Sequence, residues 1–488
     1  MGIKKEKMKF ENMFRKSLIL LICFSAFIAK AQHVYTLKNC IDSALKNNIS
    51  YNNQLIIVNE NEVNLKQYKM NRIPTLNGSL GEGISNGKNF NTNLGNSSTS
   101  TNYSSNVGLN SSIVLFNGFK NNYLISQNNS AWQASKFDAE VIKNSIITSV
   151  INSYLQVLYS YEAIAIAEEQ VKTSEAQVVQ TERLLNVGKI AETALLQIKS
   201  QHANDKLSLV NAENNLQLNR IALYQLMEIP VADNENFSKI NIDSCIMLVN
   251  PEEKISRADI FSNSLSIMPE IKSSRLNIEN ASWALKAARA DILPKLSING
   301  GLSSNYYSQY KKTYYDPMAA HLPIGYLASD PTQQVMSLSP VGAQQNYPLS
   351  DQIADNFYKN ISIGLSIPIF NNSSVRTKIK LQQLALKSAK LNEHQTENTL
   401  RKSIEQAYTQ YVAALKQYAA GNEQLTYAAK SYESVKTRFT LGIVNPTELQ
   451  VEKNNYLKAE SDFLQMKYQM LYAAKMIEYY KNGFIKIN

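Results

Sequence analysis

The chain is poor in the side chains that perform chemistry. Its four histidines, His33, His202, His321 and His394, are far apart and form no H-E-x-x-H pair, the helical spacing a zinc hydrolase needs. No G-x-x-x-x-G-K-[ST] loop is present, so the chain has no P-loop for hydrolysing nucleotide. Of three cysteines, Cys23 lies in an N-terminal apolar run. Cys40 and Cys245 alone make no disulfide framework and read as buried or free thiols. Beyond that first run, no segment offers the ~18 consecutive apolar residues of a membrane helix. Positive charge is no guide either. The net charge is +10, but the first 31 residues hold seven Lys/Arg against two Glu. The remainder, about +5, is too thinly spread for a nucleic-acid surface. No catalytic, cofactor-binding or metal-ligating set emerges.

What is present begins with a targeting signal at residues 1–31. Lys4, Lys5, Lys7, Lys9, Arg15 and Lys16 precede an apolar stretch from Ser17 to Ile28, and Ala29-Lys30-Ala31 is an A-x-A cleavage site. Translation starting at Met8 or Met13 would still leave charge before that stretch. The exported chain is expected to begin at Gln32. It should be unlipidated, because Leu21 and Ile22 stand before Cys23 where a lipid-attachment site wants small residues.

The rest of the chain is a duplication. Phe116 answers to Phe370, Tyr154 to Tyr408, Gly188 to Gly442, Thr193 to Thr447 and Leu195 to Leu449, all at an offset of 254. Upstream the offset is 220: Leu45 answers to Leu265, Lys66 to Lys286, Pro74 to Pro294 and Leu76 to Leu296. The difference of 34 residues falls between Gly301 and Ile361, where one loop of the second half is longer. The unit far exceeds the ~20–50 residues of a solenoid repeat. The first repeat is assigned to 32–230 and the second to 257–488, with a connector at 231–256.

Each repeat holds two alternating segments, expected as strands at about 74–84 and 103–116, then about 294–303 and 360–370. Ile363, Leu365 and Ile367 share one face, and Ser362, Gly364 and Ser366 the other. Ten-residue segments with an apolar and a small or polar face fit a transmembrane barrel, although a half-buried soluble sheet has the same period. The intervening tracts favour the barrel. Residues 85–102 are almost all Asn, Ser, Thr and Gly, and 304–358 are rich in Tyr, Pro and Gln without clear period. Both are expected as long external loops.

The remainder reads as helical hairpins at about 118–227 and 371–482. No proline occurs from Lys120 to Leu185. A heptad seam of Val157, Ile164, Val171, Val178 and Leu185 runs beside Ser160, Ala167, Ser174 and Thr181. Tyr411, Tyr418, Leu425, Tyr432 and Phe439 repeat it beside Ala414, Gly421, Ala428 and Val435. Large residues beside small ones at this spacing make a coiled-coil seam with close helix approach. At 1.5 Å per residue such a helix is roughly 100 Å long. His202 sits on the seam of the return helix at a position whose counterpart in the other repeat is Tyr456, and is expected to pack rather than ligate.

The order helix, strand, loop, strand, long helical hairpin, stated twice behind a signal, resembles the TolC-like outer-membrane factors of the outer membrane efflux protein family. The opening segment from Thr36 to Asn48 is close to that family's usual opening. The resemblance covers essentially the whole mature chain. It implies a mixed α and transmembrane β fold: a homotrimeric 12-stranded β-barrel continued by an α-helical coiled-coil periplasmic tunnel, with an equatorial region at the connector. It implies an outer-membrane exit duct for small molecules in a Gram-negative bacterium. The partners implied are a periplasmic adaptor, an inner-membrane pump and outer-membrane lipid. A type I protein secretion duct fits equally. A non-pore coiled-coil surface fibre does not explain the strands. The resemblance assigns adaptor docking to the hairpin tips, Val187-Gly188-Lys189 and Leu441-Gly442-Ile443, and a periplasmic gate to Glu448. The first-repeat equivalent of Glu448 is Ala194, and Val451 stands where a second acid is sometimes found, so this gate is thinner or differently built.

Overall fold

The computed structural model describes residues 34–91, 95–231, 236–238, 256–314, 322–337 and 343–485. The expected signal at 1–31, the Gln32 terminus, Cys23, His33, His321, Cys245 and most of the connector lie outside them.

A short strand β1 (Val34–Tyr35) leads into helices α1 (Leu37–Asn47) and α2 (Ile49–Met70). Strands β2 (Thr75–Asn91) and β3 (Asn96–Phe116) follow, then the long hairpin α3 (Lys120–Asn186) and α4 (Glu192–Met227). After β4 (Asn236–Phe237) the pattern recurs as α5 (Arg257–Ile267), α6 (Pro269–Ala290) and β5 (Lys295–Tyr307). An insertion carries β6 (Lys311–Tyr314), β7 (Leu322–Leu327), β8 (Asp330–Ser337), β9 (Ala343–Asn346) and α7 (Leu349–Asp355). The chain closes with β10 (Tyr358–Ser366), α8 (Ser374–Thr440) and α9 (Pro446–Asn482). The starts and ends of α1, α2 and α3 recur in α5, α6 and α8 at the 220 and 254 offsets. Even the caps correspond. Thr36 Oγ1 accepts from Asn39 N at 3.2 Å, and Ser256 Oγ from Asp259 N at 3.3 Å, each satisfying one orphan amide of its helix.

Packing does not follow the repeat boundary. Among the described residues, one compact unit comprises those up to Asn61, within Ala131–Ile278 and from Ala389 onward; the other comprises those within Glu62–Ser130 and Glu279–Ser388. Both draw on both repeats, because a strand or a helix needs partners its own half does not supply.

The helical unit holds the main core. Cys40 and Ile41 of α1, Val150 to Leu158 of α3, and Leu223 to Met227 of α4 pack with Ile260, Met268, Leu400, Ile404 and Leu471. Tyr154 is fully buried, with its hydroxyl 2.6 Å from the Ser238 carbonyl and 3.2 Å from that of Tyr35. It thereby ties α3 to the segments around the parallel pair β1–β4. Cys40 is a core thiol whose pKa burial pushes up to about 12. Along the heptad seam Val157 and the small row Ser160, Ala167, Ser174 and Thr181 are buried, while Ile164, Val171, Val178 and Leu185 are half-buried. In the second repeat Gly421 is buried on the same row. A Cβ there would come within 2.5 Å of Met466 Sδ, so the Met466 side chain occupies the space a larger residue at 421 would take.

The second unit is built on one antiparallel sheet in the order β10-β5-β3-β2. Two expectations about it change. Residues 85–91 and 96–102 are not loop but the far end of the β2–β3 hairpin, paired without a break to Asn91↔Asn96, while 92–94 lie outside the described residues. Ladder bonds use the backbone, so Asn, Ser, Thr and Gly sustain a strand where no core is required. The 304–358 tract is likewise not structureless, since β6 pairs with β9, β7 with β8, and α7 docks at the end of β5. There Gln352, fully buried, accepts from Tyr307 N at 3.0 Å and donates to Tyr307 O at 3.1 Å. It substitutes for a neighbouring strand where β10 has run out. Strand β10 ends at Ser366 rather than 370, because Pro368 has no N–H to donate to a ladder.

Candidate functional site

The sheet has two chemically distinct faces. Gly81, Asn106, Gly301 and Asn360 share the small, polar one. A Cβ on Gly81 would meet Asn106 Oδ1 at 2.5 Å, and one on Gly301 would meet Asn360 Oδ1 at 2.5 Å. The same asparagine-over-glycine pair thus occurs in both repeats. On the opposite face Leu76, Leu80, Ile84, Ile361, Ile363 and Leu365 are uncovered; Ile361 is 83% exposed and Leu80 73%. A soluble half-buried sheet would cover such a face. Within the sheet only one edge of β2 and one edge of β10 are paired.

In the helical unit, both hairpin tips end in the same backbone figure. Gly188 N donates to Leu185 O and Lys189 N to Leu184 O, each at 2.9 Å. Gly442 N donates to Phe439 O and Ile443 N to Arg438 O, also at 2.9 Å. This paired closure is a Schellman motif, which requires a left-handed residue at its turn; Gly188 has φ 72° and Gly442 φ 78°. Val187, Leu441 and Ile443 are exposed, and a Cβ on either glycine would meet nothing within 4 Å. The tips are therefore accessible, capped turns with exposed apolar side chains.

Glu448 stands in the first turn of α9. Its amide donates to Asn445 Oδ1 at 2.8 Å, and its carboxylate lies 3.5 Å from Arg438 Nη1. Asn445 is the N-cap, so Glu448 occupies the position where a carboxylate favours the helix N-terminus. Neither partner survives in the first repeat, where Leu184 and Ala194 take the places of Arg438 and Glu448. Val451 is exposed. His202 Nδ1 lies 3.0 Å from Ser174 Oγ, across the α3–α4 seam.

Sequence reasoning missed one pair. Lys453 of α9 and Asp205 of α4 are joined at 3.1 Å with side chains 2% and 4% exposed. Gln201 Nε2 donates to the other Asp205 oxygen at 2.6 Å. A signal existed in the duplication: Asp205 is matched by Ala459, so this acid has no counterpart in an otherwise repeated seam.

The profile of the outer membrane efflux protein family matches residues 40–227 and 260–478. The toxin and drug export protein A of Aggregatibacter actinomycetemcomitans is 21% identical over 73% of this chain and 68% of its own. Among solved structures, CusC superposes with a TM-score of 0.72 at 19% identity, covering 91% of each chain. The Campylobacter jejuni CmeC outer membrane channel gives 0.72 at 20% identity, covering 92% of this chain and 86% of its own.

Proposed function

The chain belongs to the outer membrane efflux protein family, and from that premise we propose that it is the outer-membrane channel of a tripartite efflux pump. It acts as a passive homotrimeric exit duct for small molecules in a Gram-negative outer membrane. It performs no catalysis of its own. An inner-membrane transporter supplies the energy, acting through a periplasmic adaptor.

The observation that carries this reading is the four-stranded sheet with an uncovered apolar face and two open edges. The apolar face suits lipid, yet unpaired edge groups in hydrocarbon cost several kcal/mol each. Only closure with further copies removes them, and three copies of four strands make a twelve-stranded barrel around the small polar face. The tips at Val187-Gly188-Lys189 and Leu441-Gly442-Ile443 are the adaptor docking points, being accessible, capped turns with exposed apolar side chains. Glu448 contributes to a periplasmic gate together with Arg438, so the gate carries a cation beside each acid rather than a bare anionic ring.

The A. actinomycetemcomitans relative is named for toxin as well as drug export, which favours protein secretion as the second reading. Single-channel recording of the purified protein in planar bilayers tests the proposal. Discrete conductance steps are expected. Inserted protein that never conducts would exclude both duct readings.

A further inference from the structure

The two hairpins of the sheet obey the sequence offsets residue by residue. Thr75↔Ser112 and Gly83↔Ser104 in β2–β3 become Lys295↔Ser366 and Ser303↔Tyr358 in β5–β10 when 220 is added to the first residue and 254 to the second. No slip separates the two ladders. The repeats are therefore equivalent as pieces of sheet, and any pairing between one repeat and the next is a pattern that can recur.

One such junction lies within the chain. The second strand of the first repeat, β3, pairs antiparallel with the first strand of the second repeat, β5. Ser104 faces Tyr307, Ser105 faces Tyr306, Ser111 faces Gly300 and Ser112 faces Asn299. The free edges are the same two kinds of strand: β10 is the second strand of its repeat and β2 the first. Directions agree as well. Each neighbour in the order β10-β5-β3-β2 is antiparallel, so β10 meets the β2 of another copy antiparallel.

We propose that β10 of one copy pairs with β2 of the next in the register of the β3–β5 junction. This rests on reading the chain as a barrel of several copies, and it specifies that barrel's interface. Shifting β3 by 254 and β5 back by 220 sets Tyr358 opposite Gly87, Ile361 opposite Ile84, Leu365 opposite Leu80 and Ser366 opposite Ser79. The chemistry of the two edges supports the register. On the apolar face Ile361 meets Ile84 and Leu365 meets Leu80, with Ile363 opposite Glu82 between them, while on the small polar face Ser366 meets Ser79 and Gly364 meets Gly81. A slip of one residue in either direction would set Ile361, Ile363 and Leu365 against Gly or Ser and lose both apolar matches.

Cysteine pairs read the register directly. Directly opposed antiparallel residues have Cα atoms ~4.5–5.5 Å apart, within disulfide reach, whereas diagonal neighbours at ~7–8 Å are outside it. Adjacent opposed pairs alternate between the wide and narrow kinds, so Leu80→Cys/Leu365→Cys and Ser79→Cys/Ser366→Cys together include one narrow pair. Leu80→Cys/Ile363→Cys and Glu82→Cys/Leu365→Cys test slips of two residues in either direction. Each single variant serves as the control for the native thiols, and mass photometry of the detergent-purified protein reports the number of copies. The expected result is a multi-copy particle whose chains become covalently linked on mild oxidation in at least one matched pair and in neither slipped pair. Linkage in a slipped pair, or in none, within an intact oligomer overturns the register while leaving the multi-copy reading standing. A particle of single-chain mass overturns both.

Discussion

Lys453 and Asp205 form a salt bridge that water scarcely reaches, joining the return helices of the two repeats across 248 residues of sequence. Burying two charges costs more than a surface pair returns, and removing one partner strands the other. Asp205→Ala or Lys453→Ala should each destabilise the protein by about 3–5 kcal/mol. The double change Asp205→Leu/Lys453→Met should recover most of that loss. Denaturant unfolding of the purified protein measures both. A double variant as unstable as the singles would show that packing rather than charge sets the cost.

The two sheet faces should differ in their tolerance of charge. Leu365→Arg should cost roughly 2–4 kcal/mol of folding into a bilayer if it lies near the midplane. Ser366→Arg, one residue along and on the polar face, should be tolerated in the level of folded protein recovered from outer membranes. Equal loss in both variants would contradict a lipid-facing strand.

At the tips the cost of substitution is conformational, because a Cβ at Gly442 meets no neighbour. A β-branched residue at φ 78° is strained, on the order of 1–3 kcal/mol. Gly442→Val should therefore abolish efflux while leaving assembled protein in the outer membrane, and Gly442→Asn, which accepts a left-handed turn, should retain it. Drug susceptibility of cells lacking the native gene and carrying each variant decides. Full efflux with valine would remove the docking assignment.

Glu448→Gln should leave stability almost unchanged, since its partner Arg438 is half-exposed and such surface pairs contribute at most ~1 kcal/mol. Conduction is where the change should show. Arg438 would be left as an uncompensated cation, so cation selectivity should fall, read as a shift in reversal potential under a salt gradient. An unchanged potential would confine Glu448 to its place at the start of α9.

Asp291 accepts from both Lys120, at 2.5 Å, and Lys378, at 2.8 Å. Burial pushes its pKa up, but the two hydrogen bonds and two positive charges outweigh that and hold it below the ordinary value of 3.8. A folded-state pKa below the unfolded one means that its contribution is complete above about pH 4 and is lost as pH falls through the lowered value. Asp291→Asn should thus be less stable than the parent at neutral pH, with the difference closing below about pH 4. A difference independent of pH would exclude the carboxylate as its source.

Much of this architecture is legible in the sequence because periodicity records local burial. The 254 and 220 offsets locate equivalent helix ends and strand pairs, alternation sorts Leu365 from Ser366, and the isolated Gly188 and Gly442 mark where the helices must turn. Local pattern is silent wherever the partner is distant or the bond belongs to the backbone. Residues 85–91 and 96–102 have no apolar alternation, yet they pair to the end of β2 because peptide groups, not side chains, make the ladder. Asp205 resembles a solvated helix acid until the fold brings Lys453 against it. Glu448 resembles a bare acid until Asn445 and Arg438 close around it. The duplication dictated two similar halves, but only the tertiary structure decided that neither half is a packing unit, because strands pair their edges, and helices bury their faces, against partners from the other repeat.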